Sequence, residues 1–254
     1  MTLVDEPVVS VAAVDRSAFA VEFVGEDGEF RHGSLGSCWH VPFEHAMPVR
    51  RFRWAKGLGS YAGWWWSSTM GDHVGFESWL ERDHAMLLDF RVDVVAFASQ
   101  PFWLLWRHGD RTRRHAPDFF ARRADGTGVV IDVRPDDRIE QADAEAFDAT
   151  ARACAEVGWL FHRVGTPDPV LAANLRWLAR YRHPRCGVRR DVVASLVGVF
   201  ARPTGLFTGA AEVGDRLAVL PVLYHLLWRQ VLVANLTVEP LRPGTVVRVG
   251  RCVP

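Results

Sequence analysis

Two aspartates separated by a short turn are the residues of this sequence best suited to metal chemistry. Asp118 and Asp132 stand at opposite ends of two apolar stretches that an Ala-Asp-Gly turn separates. Such a turn predicts a three-residue hairpin loop with Gly126 in the left-handed conformation, in which Arg123 opposes Thr127. Counting outward from that pair, the register predicts that Asp118 faces Asp132.

The repulsion between two opposed carboxylates must be offset by a positive charge or a proton. Residues directly opposite in a strand pair have Cβ atoms about 4.5–5.5 Å apart, and like charges at that distance destabilise the sheet. A divalent cation such as Mg²⁺ prefers carboxylate oxygens and leaves coordination positions free for phosphate and water. The pair therefore indicates a phosphodiester-hydrolysing site. Two alternatives remain open: both aspartates lie near strand ends in water, or they pair with Arg113 and Arg134.

The elements around the pair are predicted from periodicity. Alternation of apolar and polar residues predicts strands over 94–99, 102–107, 113–122, 129–134 and 159–164, and helical spacing predicts helices over 75–90 and 140–154. One hairpin face is wholly apolar and suited to a core: Phe119, Ala121, Val129, Ile131 and Val133. The other face carries Phe120, Val130 and Arg134 beside the two aspartates.

Before and after this region, the sequence pattern predicts other kinds of element. A strand over 8–14 and a second over 19–24 form an N-terminal arm, and 36–75 is irregular and rich in aromatic residues. Helices over 169–181, 191–200 and 215–230, with a hairpin from 231–238 and 245–249, predict a winged-helix-like end. Glycine and proline near 165–169 mark a boundary, which predicts three regions: 1–70, 71–165 and 166–254.

Composition excludes several classes of protein. The chain has 254 residues, 49% of them apolar, which predicts an ordinary globular protein. Its net charge is zero, so a nucleic-acid partner must be met by a local patch. The four cysteines form no CxxC pair, which favours a reducing cytoplasm. The longest apolar run, 217–228, is too short to span a membrane.

Longer motifs resemble a known family. The stretches HVGFESWLERDHAMLLDF, VVAFASQPFWLLW, APDFFARR and VVIDVRPDDR are similar to those of the TnsA-like heteromeric transposase endonuclease subunits, members of the PD-(D/E)xK nuclease superfamily. The resemblance covers residues 48–165 well and the C-terminal part loosely. It implies an α/β fold: a restriction-endonuclease-like core, with a mixed sheet flanked by helices, followed by a helical, winged-helix-like C-terminal domain.

The resemblance also implies site roles. Asp118 would bind Mg²⁺, with Mn²⁺ able to substitute, helped by the side chain of Asp132 and the backbone carbonyl of Val133. Counting back from the QPF element, Glu81 rather than Glu77 would be the acidic ligand from the helix. By spacing alone, Glu81 reads as a solvated helix-face carboxylate.

One position departs from the family pattern. Arg134 stands where the family usually has lysine, and arginine keeps its proton, so it cannot act as a general base. It can still hold phosphate oxygens and stabilise transition-state charge. Lys56 is the only lysine in the chain, so it alone could supply a lysine to the site.

The resemblance implies that the chain would be a Mg²⁺-dependent DNA endonuclease that hydrolyses phosphodiester bonds at transposon ends. Its partners would be DNA, a DDE-type transposase and an ATPase regulator that contacts the C-terminal domain. Arg111, Arg113 and Arg114 would hold the DNA backbone. Because of Arg134, a catalytically weak nuclease fold that serves DNA binding or transpososome assembly is the main alternative. A stand-alone restriction-type nuclease is a third.

Overall fold

The computed structural model describes residues 18–50, 52 and 61–250. The predicted strand over 8–14 and Lys56 lie outside these residues. The strands are Phe19–Val24 (β1), Phe30–Ser34 (β2), Gly63–Trp66 (β3), His73–Phe76 (β4), Val94–Ser99 (β5), Trp103–His108 (β6), Arg111–His115 (β7), Phe119–Arg123 (β8), Gly128–Val133 (β9), Leu160–Val164 (β10), Thr204–Gly205 (β11), Leu232–Ala234 (β12) and Val246–Val249 (β13). The helices are Leu35–Cys38 (α1), Trp79–Phe90 (α2), Gln141–Val157 (α3), Pro169–Leu178 (α4), Arg190–Val199 (α5), Leu206–Val213 (α6) and Arg216–Trp228 (α7).

Two four-stranded sheets lie at the centre of this mixed α/β fold. One has the order β10-β9-β8-β5, in which β10 runs parallel to β9 and the other pairs are antiparallel. The second has the order β2-β1-β6-β7 and is antiparallel throughout. The predicted strand over 19–24 is therefore β1, an inner strand of the second sheet, rather than part of a separate arm.

The β8–β9 hairpin has the predicted register. Phe119 opposes Ile131, and the N–H of Arg123 donates to the carbonyl oxygen of Thr127 at 3.0 Å. Gly126 has a φ of 86°, which favours glycine because a side chain there is strained. The loop thus fixes which residues face each other at the far end of the hairpin, where Asp118 and Asp132 lie.

Both faces of this hairpin are buried, so packing holds the register. The face with Phe119 and Ile131 packs against α2 and the helices α4, α5 and α7. The other face, with Phe120 and Val130, packs against β1, β6 and α3. A one-residue slip would exchange the two faces and disrupt the packing on both.

The C-terminal part contains the helices α4 to α7 and a three-stranded sheet of order β11-β13-β12. β12 and β13 form the predicted hairpin, while α6 and the short strand β11 were not predicted. Core residues of α4, α5 and α7 belong to the same hydrophobic cluster as those of α2 and β8. The packing therefore continues across the predicted boundary near 165–169.

Two sequence expectations were wrong in detail. The stretch 113–122, predicted as one strand, is two strands in different sheets: β7 ends at His115 and β8 begins at Phe119. The stretch 36–75, predicted as irregular, contains α1 and the antiparallel β3–β4 pair, in which Trp65 is buried and Trp64 exposed. Among the described helices, none has the length and apolar character that crossing a membrane requires.

Candidate metal centre

Asp118 occupies the link between the two sheets, immediately before β8. One of its carboxylate oxygens, Oδ2, accepts a hydrogen bond from the N–H of Val133 at 2.7 Å. Its backbone carbonyl accepts from the N–H of Gln100 at 3.0 Å. The side chain is thereby fixed at the open end of the hairpin, with its neighbours on β5 and β9 on either side.

The electrostatic surroundings of Asp118 are unfavourable for a carboxylate. Asp118 is half-buried, and this loss of hydration raises its pKa well above the usual range; the nearby charges of Glu81 and Asp132 raise it further. The hydrogen bond from Val133 and the charge of Arg50 oppose this rise without cancelling it. Three acidic side chains predicted to share a site therefore lie close enough for two of them to repel the third, Asp118.

Glu81 reaches this site from the first turn of α2. Ser78 is the N-cap of the helix, and its Oγ accepts from the N–H of Glu81 at 3.1 Å. In return, Glu81 accepts from the Ser78 hydroxyl at 2.8 Å and from the N–H of Glu77 at 2.6 Å. This is a variant of the capping box, and the Ser78-x-x-Glu81 spacing indicates it in the sequence.

Glu81 is accordingly not a solvated helix-face group. It is partly buried, and the resulting loss of hydration raises its pKa, as does the charge of Glu77. The hydrogen bonds from Glu77 and Ser78 and the charge of Arg50 act in the opposite direction. Both of its oxygens are used in capping α2, so capping and repulsion by Asp118 act on the same carboxylate.

Asp132 is held by a histidine that sequence reasoning assigned no role. Asp132 is 1% exposed, and Nε2 of His115 lies 2.9 Å and 3.0 Å from its two carboxylate oxygens. Burial raises the pKa of the Cys154 thiol to about 12, and the charge of Asp132 adds to that effect. Asp132 therefore lies on the α3 side of the sheet, paired with the last residue of β7.

Arg50 is the cation whose charge acts on both Glu81 and Asp118. Its guanidinium lies 2.6 Å from Oε2 of Glu77, and about two fifths of its side chain is exposed. The segment before it is anchored because the N–H of Val49 donates to the carbonyl oxygen of Gln100 at 2.9 Å. The sequence marks Arg50 only as one of several arginines in an aromatic-rich stretch.

Arg134 is paired with an aspartate of α3, and none of its described hydrogen bonds or ion pairs is to Glu81, Asp118 or Asp132. Its Nε and Nη2 lie 3.0 Å and 2.9 Å from Oδ2 of Asp143, and Nε also donates to the carbonyl oxygen of Arg138. Asp143 lies in the first turn of α3, where its carboxylate also accepts from the N–H of Glu140. The expectation that Arg134 takes the place of the family lysine beside the carboxylates does not match these contacts.

The predicted DNA-binding arginines lie on β7, the edge strand of the second sheet. Arg111 and Arg113 are exposed, while the guanidinium of Arg114 lies 4.4 Å from the ring centroid of Trp103. β7 leads through a three-residue link to β8, so the end of β7 at His115 adjoins the strand end that carries Asp118, while Arg111 lies at its other end.

The donor chemistry of the three acids fits a hard divalent cation, which binds oxygen and offsets their repulsion. Their present geometry is not a finished ligand shell. Within 18–50, 52 and 61–250, no three His, Cys, Asp or Glu side chains form a group that could hold a metal ion. The reason is visible in the contacts: Glu81 caps α2, and Asp132 is paired with His115.

No model of a known protein family matches this chain. A search of curated proteins finds none that matches it either.

Proposed function

We propose that this protein is a Mg²⁺-dependent DNA endonuclease subunit of a heteromeric transposase, with the TnsA-like type of PD-(D/E)xK site. One observation carries the proposal: the pKa of Asp118 is raised by burial and by two neighbouring carboxylates at the open end of a hairpin. Such a cluster is costly unless a cation or a proton is present. Since the sequence motifs resemble those of nucleases, a metal is the better explanation.

The order of elements supports a restriction-endonuclease-like core. A helix that carries an acid, α2, precedes the antiparallel strands β5, β8 and β9, and the helix α3 then leads to β10 beside β9. Sheet order β11-β13-β12 together with α4 to α7 supports a winged-helix-like C-terminal region. Both assignments agree with the resemblance of the motifs.

In the proposed reaction, Asp118, Glu81 and Asp132 would hold the ion, and the carbonyl of Val133 would assist. When bound, Mg²⁺ polarises the scissile phosphate and lowers the pKa of a bound water. Arg50 contributes a guanidinium that can hold a phosphate oxygen with two donors. Arg134 helps only indirectly, by fixing the start of α3 through Asp143.

The proposed partners follow from the resemblance and from charge. DNA is held along the backbone by Arg111 and Arg113, and by Arg114 where its stacking on Trp103 permits. A DDE-type transposase and an ATPase regulator, the latter at the C-terminal region, would bring the subunit to its target. A chain of zero net charge suits such recruitment, because its own attraction for DNA is local.

Nicking of supercoiled plasmid tests the proposal. Wild type, Asp118→Asn and the control Asp137→Asn are compared with Mg²⁺ or Mn²⁺, with and without the partner transposase; Asp137 is an exposed carboxylate beyond the end of β9. We expect cleavage by wild type and by the control, and loss of cleavage in Asp118→Asn. Equal cleavage by wild type and Asp118→Asn would reject this site.

A second function is favoured by a specific contact. Arg134 is paired with Asp143, and the acidic side chains of the described residues form no complete ligand shell for a metal. Both features are expected of a catalytically weak nuclease fold that serves DNA binding or transpososome assembly. In that case neither wild type nor Asp137→Asn would cut DNA even with the transposase. Both would still bind DNA and the partner in a pull-down.

A further inference from the structure

Gln100 has a backbone conformation that a glutamine adopts at a cost. Its φ is 47°, in the left-handed region, and it is one of two non-glycine residues with positive φ in the part of the chain that the structure describes. It directly follows β5 and is 1% exposed. Strained backbone of this kind persists where the surroundings determine it, and it is concentrated at functional sites.

The backbone of Gln100 connects the two sides of the acidic site. Its N–H donates to the carbonyl oxygen of Asp118, and its carbonyl accepts from the N–H of Val49, next to Arg50. The register of β5 and β8, in which Ser99 opposes Phe119, continues to this pair, so Gln100 opposes Asp118. The side chain of Gln100 therefore starts from the backbone position opposite Asp118.

The carboxamide itself has no partner. Both Oε1 and Nε2 of Gln100 are buried without a hydrogen bond to any described residue. A buried amide in this state is costly, and an apolar residue of the same shape would be better tolerated. A bound cation that interacts favourably with the amide oxygen would offset part of this cost.

One carboxylate oxygen of Asp118 is free to bind a cation. Its Oδ2 is bound by Val133, while its Oδ1 accepts no hydrogen bond from the described residues. Glu81 and Asp132 have their oxygens engaged elsewhere. Apart from the backbone carbonyl of Val133, the proposed site has no neutral oxygen ligand. The unpartnered carboxamide belongs to the residue whose backbone is bonded to that of its central acid.

We propose that Gln100 is a further ligand-binding group of this site: its side-chain oxygen binds the divalent cation held by Asp118. This inference rests on the proposed function, because it assumes that the site holds an ion. It adds a residue whose amide oxygen suits a hard cation.

Gln230 provides a matched control. It is the other non-glycine residue with positive φ among the described residues, at 54°, but its Nε2 donates to the carbonyl oxygen of Phe90 at 2.7 Å. Replacing either glutamine by methionine keeps the shape and the backbone strain and removes the amide. The two substitutions differ in whether a hydrogen bond to another residue is removed with it.

The test measures Mn²⁺ binding by titration calorimetry and the melting temperature in EDTA, on the full chain. We expect Gln100→Met to weaken Mn²⁺ binding at least fivefold while its melting temperature in EDTA is unchanged or higher. Gln230→Met should keep the affinity for Mn²⁺ and melt at a lower temperature, because the Phe90 carbonyl loses its donor. Gln100→Glu, which keeps a side-chain oxygen, should bind Mn²⁺ at least as tightly as wild type.

The outcomes separate the two proposals. If wild type binds Mn²⁺ and Gln100→Met binds it equally, the role of Gln100 is overturned while the metal site stands. If wild type binds no Mn²⁺, the proposed function and the inference both fail. Should Gln100→Met not fold, Gln100→Glu decides: a clearly weaker affinity than that of wild type overturns the role of the side-chain oxygen.

Discussion

Asp118 concentrates the electrostatic conflict of the site. Burial and the charges of Glu81 and Asp132 raise its pKa, and the single hydrogen bond from Val133 and the charge of Arg50 do not compensate. A carboxyl group with a raised pKa binds its proton more tightly in the folded state than in the unfolded chain. The metal-free protein therefore loses stability as that proton is removed.

This loss has a definite pH dependence. As pH rises above about 4, the unfolded chain releases the Asp118 proton first, so the free energy of unfolding falls through the window up to the raised pKa. Asp118→Asn removes this contribution, so we expect it to raise the melting temperature in EDTA at neutral pH, by about 2–4 °C for each kcal/mol gained. Thermal denaturation of both proteins across pH measures it. A variant that melts lower than wild type at neutral pH would contradict the raised pKa.

We expect different effects on DNA cleavage from replacing the two arginines near the site. Arg50 acts on Glu81 and Asp118, whereas Arg134 is paired with Asp143. We expect Arg50→Gln to lower the rate of plasmid cleavage by about 100-fold, as loss of one charge-stabilising donor does. Arg134→Gln should cut at nearly the wild-type rate and lose at most about 1 kcal/mol of stability. A severe loss of cleavage in Arg134→Gln alone would contradict this account and indicate that Arg134 has the role of the family lysine.

At the scale of elements, the β8–β9 hairpin positions the acids. Its register was predictable because a three-residue loop with one left-handed glycine leaves a single pairing that buries an apolar face. The break between β7 and β8 was not predictable from the sequence, because residues 113–122 have the pattern of one continuous strand. The change of sheet depends on partners distant in sequence: β6 pairs with β7, and β5 with β8.

The turn glycine can be tested separately from the chemistry. Gly126 has a φ of 86° and open space around its α-carbon, so Gly126→Ala adds backbone strain without a clash. We expect a loss of about 1–2 kcal/mol in the free energy of unfolding, measured by denaturant titration. Gly198→Ala, in α5 with open space and no positive φ, is the control and should be neutral or stabilising. Equal stability of the two variants would argue against a strained turn.

At the scale of the whole molecule, the site depends on contacts between two sheets. His115 ends a strand of the second sheet and holds Asp132 of the first, and Gln100 links β5 to the segment that carries Arg50. The spacing on either side of one turn predicted that Asp118 faces Asp132, because that relation is local in sequence. Glu81 was assigned from the resemblance, since its spacing alone indicates a solvated helix-face carboxylate. Sequence reasoning could not find His115 or the conformation of Gln100, since both are set by packing between distant segments.

The arginines of the edge strand β7 are expected to bind the DNA backbone. Arg111, Arg113 and Arg114 lie on one strand, which leads to the site at its His115 end. Replacing all three by glutamine should reduce the slope of log K against log salt concentration by about 0.9 for each phosphate that these arginines neutralise. Arg152→Gln, on the solvent face of α3, should leave the slope unchanged. Fluorescence anisotropy with labelled duplex DNA measures both, and an unaltered slope in the triple variant would rule out this strand as the DNA-binding surface.

The central claim is that the acids at the end of the β8–β9 hairpin bind a divalent cation. Crystals grown with saturating Mn²⁺ and measured near the manganese absorption edge locate that ion directly by its anomalous signal. The account predicts one strong peak in coordination contact with Asp118, with Glu81 or Asp132 turned toward it from its present hydrogen bonds. Manganese bound only elsewhere on the protein, with Asp118 free of metal, would contradict it.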